Sequence, residues 1–365
     1  MRWLRRLGLS LVGLLVGLLV VELGARLRTP QPGVPLFFNT PDTLPDGLYI
    51  PDANLVIVPR PGFNAVVSSV DYAVTVRINA AGLRGPELTP PSAPRWIAVG
   101  DSFTMALQVA EEDTFPALLG HRVGLEVWNA GVDGYSTWQA LRRYELLDDE
   151  VGSGGVLLTF FLGNDLSDNL SDKGRTPLVT DGAPPPSSLT TRRFSRAGEL
   201  WRWLGTHSAF FAYFRIVEKQ ALMRQGHDPD GARLAAEMRI FTNSGRSLLN
   251  DRLAPSREAF AAFKALTDHR GDRLMVAVAP PYFAADPRET ARTLRSFGLD
   301  QPALDAPAQA VLVLLTELGI PACDLAPALR AVAEAGDNAY FRYDGHWSPA
   351  GHAAAAEAMA GCFTP

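Results

Sequence analysis

Cysteine is scarce in this chain. Its 365 residues include two, Cys323 and Cys362, too few for a disulfide framework and in no zinc-ligand spacing. A single bridge in an oxidising compartment and two unpaired core thiols both stay open. An excess of one charge is lacking too: 34 Lys and Arg against 39 Asp and Glu give a formal net charge of -5. Apart from Arg2, Arg5 and Arg6 the basic residues are scattered, so nothing argues for a nucleic-acid partner. Asp344, His346 and His352 have no fourth ligand at usable spacing, and neither a metal nor another cofactor is expected. No internal repeat or coiled-coil heptad occurs.

Long apolar runs are missing except at the start. Leu7 to Val21 carries no charge and follows three arginines; counted on to Leu27 it approaches the ~20 residues that cross a bilayer. The arginines should stay in the cytoplasm and send the rest of the chain outward. No small-x-small cleavage site precedes the following region, which favours an uncleaved signal anchor over a signal peptide. Residues 1–27 are therefore expected to be a single-pass transmembrane anchor, with the remainder extracytoplasmic on the cell membrane.

Residues 28–94 read as a proline-rich tether and a small β-containing extension. Within them Tyr72, Val74, Val76 and Ile78 alternate with their neighbours, a strand of period two. From Arg95 the pattern alternates strand and helix. The expected strands are Trp96–Val99, Leu125–Trp128, Val156–Phe161, Leu274–Val278 and Ile320–Cys323. Helical patterns cover Thr114–Leu119, Thr137–Leu147, Arg257–Leu266 and Ala306–Leu318. This predicts an α/β fold: a five-stranded parallel sheet between helical layers, over residues 95–365. An insertion of about residues 168–256 opens with a Pro/Ser/Thr-rich loop, Thr176 to Thr191. It continues through helical stretches bearing Trp201, Trp203, Phe210, Phe211, Tyr213 and Phe214. Such aromatics could line a groove as a lid, but core packing is their commoner use.

Four short blocks fall beyond strand ends or in the last loop, where parallel sheets collect their chemistry. Gly100-Asp101-Ser102 ends the first strand and leads into an amphipathic, helix-forming segment through Met105 and Leu107, and Asn129-Ala130-Gly131 follows the second strand. Gly163-Asn164-Asp165 follows the third, and Asp344-Gly345-His346-Trp347 precedes a helix begun by Ser348 and Pro349. Ester chemistry needs a hydroxyl and a base to take its proton, roles that suit Ser102 and His346. Asp344 is the nearest carboxylate to fix the imidazole tautomer. The Ser102 N–H, the Gly131 N–H and the Asn164 side-chain amide are the candidate oxyanion donors. A plainer reading of the first block is that Asp101 or Ser102 caps a helix. The Gly-x-Ser-x-Gly pattern is absent around Ser102. His121, His207, His227 and His269 sit in no motif, and His352 should pack or bond locally.

The ordered blocks resemble those of the SGNH hydrolases, the GDSL-type esterase superfamily, from Arg95 to the C-terminus. That resemblance implies a flavodoxin-like three-layer fold and ester chemistry on an acylated carbohydrate or similar small ester. Asn79-Ala-Ala-Gly-Leu-Arg-Gly-Pro86 is similar to a lead-in of membrane-anchored bacterial members. Many members place aspartate three residues before histidine; here Asp344 precedes His346 by two. This shorter form resembles the branch linked to exopolysaccharide O-acetylation, the alginate acetylation proteins among them. It implies an esterase or an O-acetyltransferase using the same residues. A non-catalytic envelope scaffold is a third expectation that the retained blocks disfavour, and envelope partners are left unassigned.

Overall fold

The computed structural model describes residues 2–28, 45, 47–171, 196–224, 235–299 and 301–363. The loop Thr176 to Thr191, His227 and most of the proline-rich tether lie outside the described residues. The first helix, α1 (Arg2–Arg28), contains the apolar run. Among the described residues it is the one helix long and apolar enough to cross a membrane, over Arg5–Leu27, and its apolar run is not buried in the protein.

Two hairpins follow. Strand β1 (Tyr49–Asp52) pairs antiparallel with β2 (Val56–Pro59), and β3 (Asn64–Ser68) with β4 (Ala73–Arg77). The alternation seen from Tyr72 to Ile78 is thus a strand, and it buries Val76 and Ile78 against Met105 and Leu107 of the main domain.

Strands β5 (Arg95–Val99), β6 (Glu126–Asn129), β7 (Gly155–Phe161), β8 (Arg273–Ala279) and β9 (Ala322–Asp324) form one sheet in the order β6-β5-β7-β8-β9. Every pairing in it is parallel. All five expected strands are present, each displaced by no more than two residues at its start. The chain steps from β5 outward to β6, then crosses to β7 on the other side of β5. This is the flavodoxin-like reversal, which opens a crevice at the carboxyl ends of β5 and β7.

Because side chains alternate across a strand, each strand feeds two cores. Ile97 and Val99 of β5 face one layer with Val156, Leu158 and Val276. That layer is closed by α4 (Thr137–Val151), the long α8 (Arg246–Arg270) and α11 (Ala306–Glu317). Trp96 and Ala98 face the other with Leu157, Met275 and Ala277, beneath α3 (Phe115–Val123), α12 (Ala326–Glu334) and α13 (Pro349–Cys362). Full burial of β5 and β7 explains their near-continuous apolar sequences.

The insertion contributes α6 (Arg196–His207) and α7 (Ala209–Arg224). Here core packing of the aromatics is corrected. Trp201, Trp203, Phe210 and Phe214 are exposed, and only Phe211 and Tyr213 are partly covered. Neither helix adds to the two core clusters of the sheet; Ala209, Ala212 and Tyr213 of α7 pack with Tyr343, Val70 and Ala25, while the exposed aromatics are uncovered among the described residues.

Cys323 on β9 and Cys362 at the end of α13 are joined in a disulfide. It ties the last helix to the sheet edge across a separation of 39 residues. Closing a loop of that length removes denatured-state entropy worth about 4 kcal/mol in the chain-entropy account. Replacing both cysteines by serine should therefore lower the thermal midpoint markedly, and reductant should lower the wild type to the same value. Equal midpoints with and without reductant would show that no bridge forms.

Candidate active site

Strand β5 stops at Val99 and the chain turns sharply through Gly100 into the four-residue helix α2 (Ser102–Met105). Gly100 has φ +145°, and a Cβ there would stand 2.5 Å from Thr104 Oγ1 and 2.8 Å from the Thr159 carbonyl oxygen. No side chain fits. Asp101 caps the helix by accepting the Phe103 N–H at 2.9 Å. The capping reading of the first block therefore holds for Asp101, which leaves Ser102 free for another role. Ala106, in the left-handed region, ends the helix after one turn. The helical segment expected to run on past Met105 is thus shorter. Its macrodipole is correspondingly small, and the local N–H groups of the turn carry whatever anion attraction it has.

His346 arrives from the far end of the chain. Its Nε2 lies 2.7 Å from Ser102 Oγ, and its Nδ1 is hydrogen-bonded to Asp344 Oδ1. The loop is braced locally: Phe341 N–H donates to the His346 carbonyl, and Ser348 Oγ accepts the Gly351 N–H as the N-cap of α13. Trp347 is fully buried between Phe103 and Phe115. The Phe103 ring also lies 4.9 Å from the imidazole. Ser102, His346 and Asp344 therefore form one continuous hydrogen-bonded chain.

Two residues of the β extension, Asp71 and Tyr72, escaped the sequence reading. Tyr72 donates its hydroxyl proton to Asp344 Oδ2 at 3.0 Å, so the carboxylate has a partner on each oxygen. Asp71 Oδ2 accepts the N–H groups of Tyr343 and Asp344 at 2.8 and 3.0 Å. A third, Arg84, lies inside Asn79-Ala-Ala-Gly-Leu-Arg-Gly85. Its buried guanidinium donates to the Met105 carbonyl at 2.6 Å and to those of Ala106 and Val109, satisfying the end of α2. Only the motif's position before the first block hinted at this use.

Gly131 and Asn164 occupy the loops after β6 and β7. A Cβ on Gly131 would lie 2.3 Å from Met105 N, so this loop rests directly on α2. Its N–H donates to Asn129 Oδ1 at 3.0 Å, while Asn129 Nδ2 donates to the Thr104 carbonyl at 2.7 Å. Asn129 thereby stitches the two loops together. Asn164 Nδ2 donates one proton to Asp168 Oδ2 at 2.7 Å. Its second amide proton, and the Ser102 N–H at the first position of α2, have no acceptor within their own helices.

Carboxylates crowd the site. Burial pushes Asp101 up to about 7 and Asp133 up to about 6; Asp133 also accepts the Tyr49 hydroxyl. Burial likewise raises Asp165, aided by the charge of Asp101, although Asp165 Oδ2 accepts the Phe161 N–H. For His346 burial pulls the imidazole down, but the charge and hydrogen bond of Asp344, with Asp133 and Asp101 behind, more than offset it. The net position is above the ordinary 6.5. His352 behaves oppositely. It is buried over the Phe115 ring, accepts the Phe115 N–H on Nδ1 at 3.3 Å, and is pushed down to about 3. His121, His207 and His269 are exposed.

These directions predict an NMR titration. The His346 ring should protonate with a midpoint above 6.5, and Asp344→Asn should lower that midpoint by removing the strongest raising influence while burial remains. His352 should stay neutral throughout the accessible range. A His346 midpoint unmoved by Asp344→Asn would separate the pair.

Residues 240–364, which carry His346, match the family described as SGNH hydrolase-like domain, acetyltransferase AlgX. No curated protein matches the chain. Similar solved structures include a catalytic variant of Axe2, an acetylxylan esterase from Geobacillus stearothermophilus, at 12% identity and TM-score 0.38. That alignment covers 74% of this chain and 94% of the other. LAE5, an alpha/beta hydrolase enzyme from the metagenome of Lake Arreo, Spain, is 14% identical with TM-score 0.35, covering 76% and 99%. Residues 240–364, the part of the chain that carries Asp344 and His346, are thus similar to an SGNH hydrolase-like domain of the AlgX acetyltransferase type.

Proposed function

We propose that this chain is an extracytoplasmic, membrane-tethered serine enzyme that removes acyl groups, above all acetyl, from a carbohydrate or similar ester. The observation that carries the reading is the chain of hydrogen bonds from Asp344 through His346 to Ser102 Oγ at 2.7 Å. Ser102 Oγ attacks the ester carbonyl carbon as its proton passes to His346 Nε2. Asp344 holds the ring in the tautomer that leaves Nε2 able to accept, and stabilises the imidazolium that forms. The tetrahedral oxyanion is met by the Ser102 N–H and Asn164 Nδ2. The Gly131 N–H joins them once it leaves Asn129 Oδ1. Collapse breaks the ester C–O bond, and the departing alkoxide takes the proton from His346. Water then repeats the sequence on the acyl-serine, releasing the acid and restoring Ser102.

A second reading follows from the match of residues 240–364 to an acetyltransferase family. Here a sugar hydroxyl takes the place of water, and the acyl-serine passes its group to polysaccharide. The same residues serve both, since only the acceptor oxygen differs. The α1 helix (Arg2–Arg28), the arginines before its apolar run and the Cys323–Cys362 bridge all support a domain held outside the cytoplasm.

Full-length protein should hydrolyse short-chain aryl acetates. Ser102→Ala and His346→Ala should each cut kcat at least ~10³-fold, and Asp344→Asn about 10²–10⁴-fold with the fold intact. Equal rates for wild type and Ser102→Ala would remove the nucleophile. Tyr72→Phe should cost about tenfold in kcat by loosening Asp344, on the order of one hydrogen bond. Because His346 must be neutral to accept a proton, kcat/KM should rise with pH through a midpoint above 6.5 and be lost as pH falls. The acetyl content of envelope polysaccharide distinguishes the readings: it rises on deletion for an esterase and falls for a transferase.

A further inference from the structure

Helices α6 and α7 carry an apolar surface that no other part of the described chain covers. Trp201 and Trp203 are 52% and 54% exposed, and Leu200, Phe210, Phe214 and Val217 are exposed with them. On α7, Phe210, Phe214 and Val217 recur at i, i+4 and i+7 and so form one stripe. Ala209, Ala212 and Tyr213 point elsewhere, into a cluster with Tyr343, Val70 and Ala25 of α1. Arg215 and Glu218 pair on a third side, facing water. One side of the helix thus meets protein and one meets solvent, while the third is apolar and uncovered. A patch of that kind marks an interaction site.

The same helix pair grips α1. Glu22 accepts hydrogen bonds from Ser208 Oγ at 2.7 Å, from the Ala209 N–H at 2.9 Å and from the Phe210 N–H at 3.1 Å. Arg26 donates to the His207 carbonyl at 2.7 Å. The α6–α7 junction is therefore fixed to one turn of the apolar helix, which sets its depth. With Arg5 and Arg6 at the inner boundary, a ~30 Å hydrocarbon core takes up about 20 residues and ends near Ala25. Glu22 then lies about 5 Å inside the outer boundary and Arg26 just outside it, so the junction bonded to both sits at that boundary, where the hydrocarbon meets the headgroups. That is the zone where tryptophan and other aromatic rings concentrate.

We propose that the apolar stripe of Phe210, Phe214 and Val217, with the exposed apolar residues of α6 around it, lies in the interfacial zone of the outer leaflet, beside the anchor, as a second membrane contact. The proposal rests on α1 spanning the bilayer. The face lies beside the clamp of Glu22 and Arg26, so lipid contact there holds the domain against tilting on its span. Through the cluster of Ala25, Ala209, Ala212 and Tyr343, it also fixes the loop that bears Asp344 and His346 at a set height above the lipid.

The test uses the full chain in phosphatidylcholine vesicles, with an environment-sensitive fluorophore on Phe214→Cys or, as control, on Val313→Cys of α11. Flotation with the vesicles reports the anchor. The label at 214 should shift to the blue, be quenched by brominated acyl chains, and be shielded from aqueous iodide several-fold relative to the label at 313. Glu22→Ala should keep flotation while weakening that shielding, and Trp201→Ser with Trp203→Ser should leave aryl-acetate hydrolysis unchanged. A chain that floats with position 214 as open to iodide as position 313 overturns the surface contact and leaves the anchor standing. A chain that does not float overturns both.

Discussion

Asp344 is the constraint around which the site is built. It is a fully buried carboxylate, and a buried charge is tolerable only with partners on its oxygens. Those partners are the His346 ring and backbone N–H on one oxygen and the Tyr72 hydroxyl on the other. The first two belong to His346 in the same C-terminal loop and the third to the N-terminal β extension, so satisfying one carboxylate pins those two segments together. The imidazole, held on one side by Asp344, has a single direction left for Nε2, and that direction is Ser102.

The hairpin β3–β4 is accordingly part of the site and not an appendage. Its apolar residues pack on Met105 and Leu107 just past the Ser102 turn. Tyr72 and Asp71, at its tip, brace the loop that carries Asp344 and His346. Arg84, in the turn after it, neutralises the carbonyls that α2 leaves unpaired. A helix of one turn could not hold Ser102 alone, since nucleating one is unfavourable. The Arg84 bonds, the Asp101 cap and the Gly131 loop together supply the missing restraint.

The buried carboxylates give the site an acidic electrostatic background. Asp101 and Asp133, with positions near 7 and 6, change charge close to neutrality. Each, when ionised, favours the protonated imidazole of His346. The form of His346 that accepts a proton is therefore favoured at higher pH, while the imidazolium formed on accepting one is well stabilised. The opposite environment of His352, apolar and next to the Phe115 ring, keeps that histidine neutral and structural. Two histidines six residues apart differ because one faces carboxylates and the other faces rings.

The five-stranded parallel sheet was legible because fully buried strands write themselves as short apolar runs between helical periodicities, and Trp96–Val99 and Val156–Phe161 are unmistakable in that respect. The short motifs around Ser102, Gly131, Asn164 and His346 were legible because each needs a particular residue type at a strand end. Sequence alone therefore determined the fold class, the anchor-like first helix and the identity of the candidate residues. It misjudged the length of the helix after Ser102, which the left-handed Ala106 cuts short, and the aromatics of α6 and α7, whose periodicity is the same whether they face a core or an open surface. The roles of Tyr72, Asp71, Arg84 and Asn129, the bridge between Cys323 and Cys362, and the grip of Glu22 on α7 were decided only by the tertiary structure. Each is a contact between segments far apart in the chain, and a single hydroxyl, carboxylate or guanidinium carries no periodic signature of the partner that folding will bring to it.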